Sequence, residues 1–89
     1  MTTESVAELV RAHIVRTRPH HTRNLDFSDD SSLTSTGILD SVGVFELVAF
    51  LEQRFGLEIA DDELEWKNFE TVTAVTRFVE SKMATAGPR

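Results

Sequence analysis

Residues 37–56 read GILDSVGVFELVAFLEQRFG, and the fold turns on this stretch. Val44, Leu47, Val48, Leu51 and Phe55 recur at steps of three and four, which puts them on one face of a helix. Val42, Phe45, Glu46, Ala49, Glu52 and Gln53 fall largely on the other side. The helix is expected to open at Asp40-Ser41, with Asp40 as N-cap, and to run to Phe55. Gly56 stands where a glycine in the left-handed conformation ends a helix. Chemically, Gly37-Ile38-Leu39-Asp40-Ser41 presents a hydroxyl at a helix N-terminus. The unpaired N–H groups and the dipole there favour a negative group attached to the Ser41 oxygen. Asp40 can present its carboxylate to an incoming enzyme or metal ion. An Asp-Ser pair is also ordinary capping, so these two residues taken alone favour a structural role.

Upstream, Ser5 and Glu8 have the spacing of a capping box, and Val6, Leu9, Val10 and Ile14 follow at helical intervals. Pro19 is expected to stop this first helix. Residues 19–37 then read as one long polar loop, with Leu25, Phe27 and Leu33 as anchors to the core. A loop of that length in a compact domain marks function or anchoring. Downstream, Leu57 and Ile59 read as plugs of the core, and Asp61 to Leu64 as a short helical turn. A last helix is expected from near Thr71, with Val72, Val75, Phe78 and Val79 inward, fraying after Met83. The expected architecture is all-α: a small bundle of three main helices and one short one, with the long loop between the first two. The domain is expected over residues 1–84, with a flexible tail at 85–89.

The chain has 89 residues, enough for one domain that buries only about 60% of its unfolded surface. Cysteine is absent, which excludes disulfides, thiolate metal sites and thiol nucleophiles. The longest apolar run, Leu47 to Leu51, falls far short of the ~18 residues of a membrane span. The N-terminus lacks the basic and apolar regions of a secretory signal, and a cytoplasmic location is expected. Acidic residues number 15 against 9 basic ones, for a net charge of −6. Arg11, Arg16, Arg18 and Arg23 lie early, whereas Arg54 is the single basic residue between Asp26 and Glu65. Such a surface would attract a basic protein partner and makes nucleic acid and anionic membrane poor partners, although charge alone favours a merely solvated acidic face.

Three chemical readings fail on the residues. Asp26, Ser28 and Asp30 have the opening spacing of a calcium loop, but Ser31 and Gly37 stand where glycine and glutamate are required. His20-His21 with His13 could suggest zinc, but adjacent side chains after a proline diverge and no carboxylate is suitably spaced, so they read as loop histidines. No phosphate loop, nucleophile elbow or Ser-His-acid set can be assembled, and three short helices leave no obvious cavity for a reaction. No enzymatic activity is expected.

Leu33, the Gly37 to Ser41 stretch, Glu46-Leu47, Leu51-Glu52, Phe55-Gly56, Ile59, Phe69 and Thr71-Val72 together resemble an acyl carrier protein, across residues 5–82. The resemblance implies that Ser41 carries 4′-phosphopantetheine through a phosphodiester, with Asp40 beside it, and that the chain holds an acyl or aminoacyl group as a thioester. It implies as partners a phosphopantetheinyl transferase, an adenylate-forming ligase and a downstream acyltransferase or condensing enzyme. It also implies a docking surface of Val42, Phe45, Glu46, Ala49 and Glu52, joined by Ile59, Asp61 and Asp62. Gly43 two places after the serine, and Gln53-Arg54 after Glu52, depart from carriers of fatty-acid synthesis. They look more like discrete carriers of specialised pathways and D-alanyl or aminoacyl carriers. A monomer with small or polar cargo outside the bundle is expected. The competing reading is an unmodified helical interaction module of the same fold, which would not need Ser41.

Overall fold

The computed structural model describes residues 5–22 and 27–86. Its main helices are α1 (Val6–Thr17), α3 (Ser41–Phe55) and α4 (Val72–Ala86), with a short α2 (Pro19–Thr22) after the first. Two 3₁₀ turns, Asp61–Glu63 and Trp66–Asn68, lie between α3 and α4, and no strand occurs among the described residues. The all-α bundle expected from the sequence is the observed architecture.

Each main helix starts as its sequence dictates. The Ser5 hydroxyl accepts from the Glu8 N–H at 3.1 Å, and the Glu8 carboxylate accepts from the Ser5 N–H at 3.1 Å. This closes the capping box and satisfies two donors at the helix end. The Asp40 carboxylate accepts from the Gly43 N–H at 2.8 Å. The Thr71 hydroxyl does the same for Ala74 at 2.9 Å. At the far end of α3, Gly56 sits at φ 66° and ψ 35°, the left-handed region that glycine enters without steric cost.

Val10 and Ile14 of α1, Leu47, Val48 and Leu51 of α3, and Val72, Val75 and Val79 of α4 form a common core with Phe69. Val44, Phe55 and Phe78, expected to face inward, are half-buried against it, as is Ile59, whereas Leu57 is buried. The turn expected at Asp61 to Leu64 is the first 3₁₀ turn. Glu63 ties it to α4, accepting from the Lys82 ammonium at 2.8 Å and from the Ala60 N–H at 2.9 Å.

The structure corrects three expectations. Pro19 does not hand over to loop: it opens α2, because proline at a first helical position needs no N–H partner and already has a helical φ. The last helix passes Met83 and continues to Ala86. His13, expected among the loop histidines, is buried within α1, because its ring packs on Phe50 of α3. The anchor Leu25 lies outside the described residues.

The long segment before α3 is pinned rather than loose. Phe27 and Leu33 are buried as expected, joined by Ile38 and Leu39. The Leu33 N–H donates to the Glu70 carbonyl at 2.7 Å, and the Thr73 N–H to the Asp29 carbonyl at 3.0 Å. The Ser32 and Thr34 hydroxyls both donate to the Glu70 carboxylate. These hydrogen bonds hold the Glu70 carboxyl below its ordinary pKa. Arg11 stacks over the Phe27 ring at 4.3 Å and donates to the Phe27 carbonyl at 2.9 Å.

His13 packs inside the α1–α3 contact, stacked on Phe50 with ring centroids 4.5 Å apart. Burial lowers its pKa from the ordinary 6.5; the Arg16 and Arg18 charges add to this and Glu46 opposes it. The folded state therefore takes up a His13 proton less readily than the unfolded chain. Its contribution to stability is complete well above pH 6.5 and is lost as pH falls below that value. Glu63 and Glu70, both with lowered pKa, add a second loss as pH falls through their ordinary 4.5 and below. Thermal melts between pH 7 and pH 5 are expected to show a falling Tm in wild type and a flatter profile in His13→Leu. Equal slopes in both would contradict this account of His13.

Candidate functional site

Two buried plugs and a turn set the serine outward. Gly37 turns the chain at φ 79°, a conformation that strains other residues. Ile38 and Leu39 then drop into the core, and the Leu39 N–H donates to the Leu33 carbonyl at 2.9 Å. With those two side chains inward, Asp40 and Ser41 follow on the outside, both exposed. Ser41 is the first residue of α3. Asp40 takes the Gly43 N–H on its carboxylate and the Val44 N–H, at 2.9 Å, on its carbonyl. Helix geometry leaves the N–H groups of Ser41 and Val42 without intrahelical acceptors, at the positive end of the dipole. An exposed hydroxyl at that place fits a phosphodiester, whose negative charge the helix end favours.

Beside Ser41 lies an apolar hollow of about 120 Å³, bounded by Val44, Phe45, Leu64, Glu65, Trp66 and Phe69. The helices therefore leave a half-open apolar hollow at the surface rather than an enclosed cavity for a reaction. It is smaller than the ~150 Å³ cavity that holds a benzene ring.

Of the residues expected to dock partners, Phe45 lines this hollow. Val42 is 61% exposed and Phe45 63%, an unusual display of large apolar side chains on one turn of helix. Phe45 lines the hollow together with Trp66 and, at that exposure, stands outside the core. Ala49, Asp61 and Asp62 are exposed, and Ile59 is half-buried. The two glutamates have partners within the chain. Glu46 accepts from the Arg18 guanidinium at 3.2 Å, and Glu52 accepts from the Ile59 N–H at 3.0 Å, anchoring the loop after α3.

Sequence reasoning missed two participants. Trp66, half-exposed at the rim of the hollow, is the chain's one tryptophan and stands among polar residues, a signal that could have found it. Arg18 reaches the Asp40 carboxylate at 3.3 Å from the end of α1, and no local pattern announces a contact across 22 positions.

A helical bundle that holds a serine outward at the start of an amphipathic helix, over an apolar hollow, has the layout of a carrier domain. Residues 21–79 match the phosphopantetheine attachment site family. The match covers most of the chain, and the chain belongs to this family. Its fold is similar to the crystal structure of an acyl carrier protein from Thermotoga maritima, with a TM-score of 0.64. That likeness spans 97% of this chain and 100% of the other at 20% sequence identity, so it speaks for the fold. Comparison with curated proteins returns no match. The family's cofactor is 4′-phosphopantetheine, held covalently. No helix among the described residues is long and apolar enough to cross a membrane.

Proposed function

We propose that the chain carries an acyl or aminoacyl group as a thioester on 4′-phosphopantetheine at Ser41 and delivers it between enzymes of a specialised biosynthetic pathway. The observation that carries this reading is the exposed Ser41 hydroxyl at the first position of α3, inside the family match. The cofactor supplies the thiol that a cysteine-free chain lacks. The chain's own residues hold and present it. Asp40 caps and fixes the first turn, the helix end offsets the phosphodiester charge, and Ile38 and Leu39 keep the attachment point at the surface. Catalysis belongs to the partners: a phosphopantetheinyl transferase, an adenylate-forming ligase, and an acyltransferase or condensing enzyme. The small hollow suits short or polar cargo that stays outside the bundle. Incubation with coenzyme A and a broad-specificity phosphopantetheinyl transferase tests the reading. Intact-mass spectrometry is expected to show one cofactor on the wild type.

Phe45, Val42, Ala49, Asp61 and Asp62 form the accessible part of the docking surface in this reading. Phe45→Ala is expected to raise the KM of a transferase or ligase for the carrier by about tenfold, as loss of an aromatic anchor does. Because Phe45 is 63% exposed, folding stability should change by less than about 0.5 kcal/mol. A loss of several kcal/mol in chemical denaturation would place Phe45 in the core instead.

A further inference from the structure

Arg18 ends α1, where a solvated cation would be ordinary, yet its side chain is only 14% exposed. Its backbone is fixed on both sides: the N–H donates to the Ile14 carbonyl at 2.8 Å, and the carbonyl accepts from the Thr22 N–H at 3.1 Å and hydroxyl at 3.0 Å. From there the guanidinium runs along the first turn of α3. Nη2 donates to the Asp40 carboxylate at 3.3 Å and to the Glu46 carboxylate at 3.2 Å. Nε is buried with no hydrogen-bond partner among the described residues.

Gly43 makes this path possible. A Cβ there would stand 2.6 Å from Arg18 Nη2 and 3.1 Å from Cζ. A glycine in the first turn weakens a helix, and a buried cation with an unsatisfied donor costs free energy. Each feature explains the other. Space left by the missing side chain is filled by a positive charge held against two carboxylates of the loading face.

We propose that Arg18 is a specificity-determining residue of that face. From within the chain it offsets one of the two negative charges of Asp40 and Glu46, so a partner finds the Glu46 carboxylate already partly paired. A lysine or arginine brought to that point gains less than it would at an unpaired carboxylate, because the buried guanidinium beneath weakens the attraction. The complementary partner is apolar opposite Val42, Phe45 and Ala49, and basic opposite Asp61 and Asp62 rather than opposite Glu46. This inference rests on the carrier reading of Ser41.

The test is the kinetics of cofactor loading on the full chain, with coenzyme A and a transferase whose docking surface is basic. Arg18→Met keeps the apolar stem and removes the charge. It is expected to lower KM for the carrier about threefold at low salt, with kcat unchanged, and to steepen the salt dependence. The gain is expected to shrink in the Glu46→Gln background, and Arg18→Lys is expected to retain the wild-type KM. Arg18→Gln, which keeps a hydrogen-bond donor toward Asp40, gives the same comparison if Arg18→Met loses its folding transition. An unchanged or higher KM in the charge-removing variants overturns the proposal. An equal gain with and without Glu46 also overturns it, since only long-range charge would then be acting. Wild type that accepts no cofactor overturns the carrier reading and this inference with it; loaded wild type with no gain on removing Arg18 overturns this inference alone.

Discussion

Phe69→Ala is expected to destabilise the fold by about 3–5 kcal/mol, the largest stability loss of any single substitution discussed here. Phe69 is 1% exposed, the bulkiest fully buried side chain among the described residues, and packs edge-on against Phe78 with centroids 5.6 Å apart. Its N–H donates to the Trp66 carbonyl at 2.9 Å, so it also closes the second 3₁₀ turn. Truncation would leave a cavity continuous with the hollow beside Ser41, and the surrounding helices cannot close both at once. Domains of this size have only about 5–15 kcal/mol to lose. Urea denaturation should show a much lower midpoint with little change in slope. A loss below about 1 kcal/mol would show that the core does not depend on Phe69.

The helical frame was legible because its signals are local. The three- and four-residue steps of Val44, Leu47, Val48 and Leu51, the Ser5–Glu8 box and the glycine at position 56 each act within a turn or two of chain. The ends of α3 therefore fell where the sequence placed them. Ser41 was singled out for the same reason: a hydroxyl at a helix start is defined by its immediate neighbours. What escaped depends on contacts distant in sequence. Arg18 meets Asp40 and Glu46 only after α1 packs beside α3, and Glu70 collects Ser32 and Thr34 from 38 and 36 positions earlier in the chain. Glu46 and Glu52 read alike as surface carboxylates, yet one pairs with a cation and the other holds a loop amide. Pro19 misled for a further reason, since proline both ends the helix before it and begins the one after it.

Ser41→Ala is expected to abolish cofactor loading while leaving the fold intact. The side chain is exposed, and the cap that organises the first turn comes from Asp40 rather than from Ser41. Thermal stability should therefore change by less than about 0.5 kcal/mol. That contrast separates a chemical role for the hydroxyl from a structural one. The most direct measurement is tandem mass spectrometry of the wild-type chain after incubation with coenzyme A and the transferase. Trypsin cuts after Arg23 and Arg54, so Ser41 lies in one peptide with Ser28, Ser31, Ser32 and Ser35, and fragment ions distinguish among them. The carrier reading predicts the phosphopantetheine mass on Ser41 alone and an unmodified peptide in Ser41→Ala. The cofactor on another serine, or a wild type left unmodified by several transferases, would contradict it and leave an unmodified interaction module in its place.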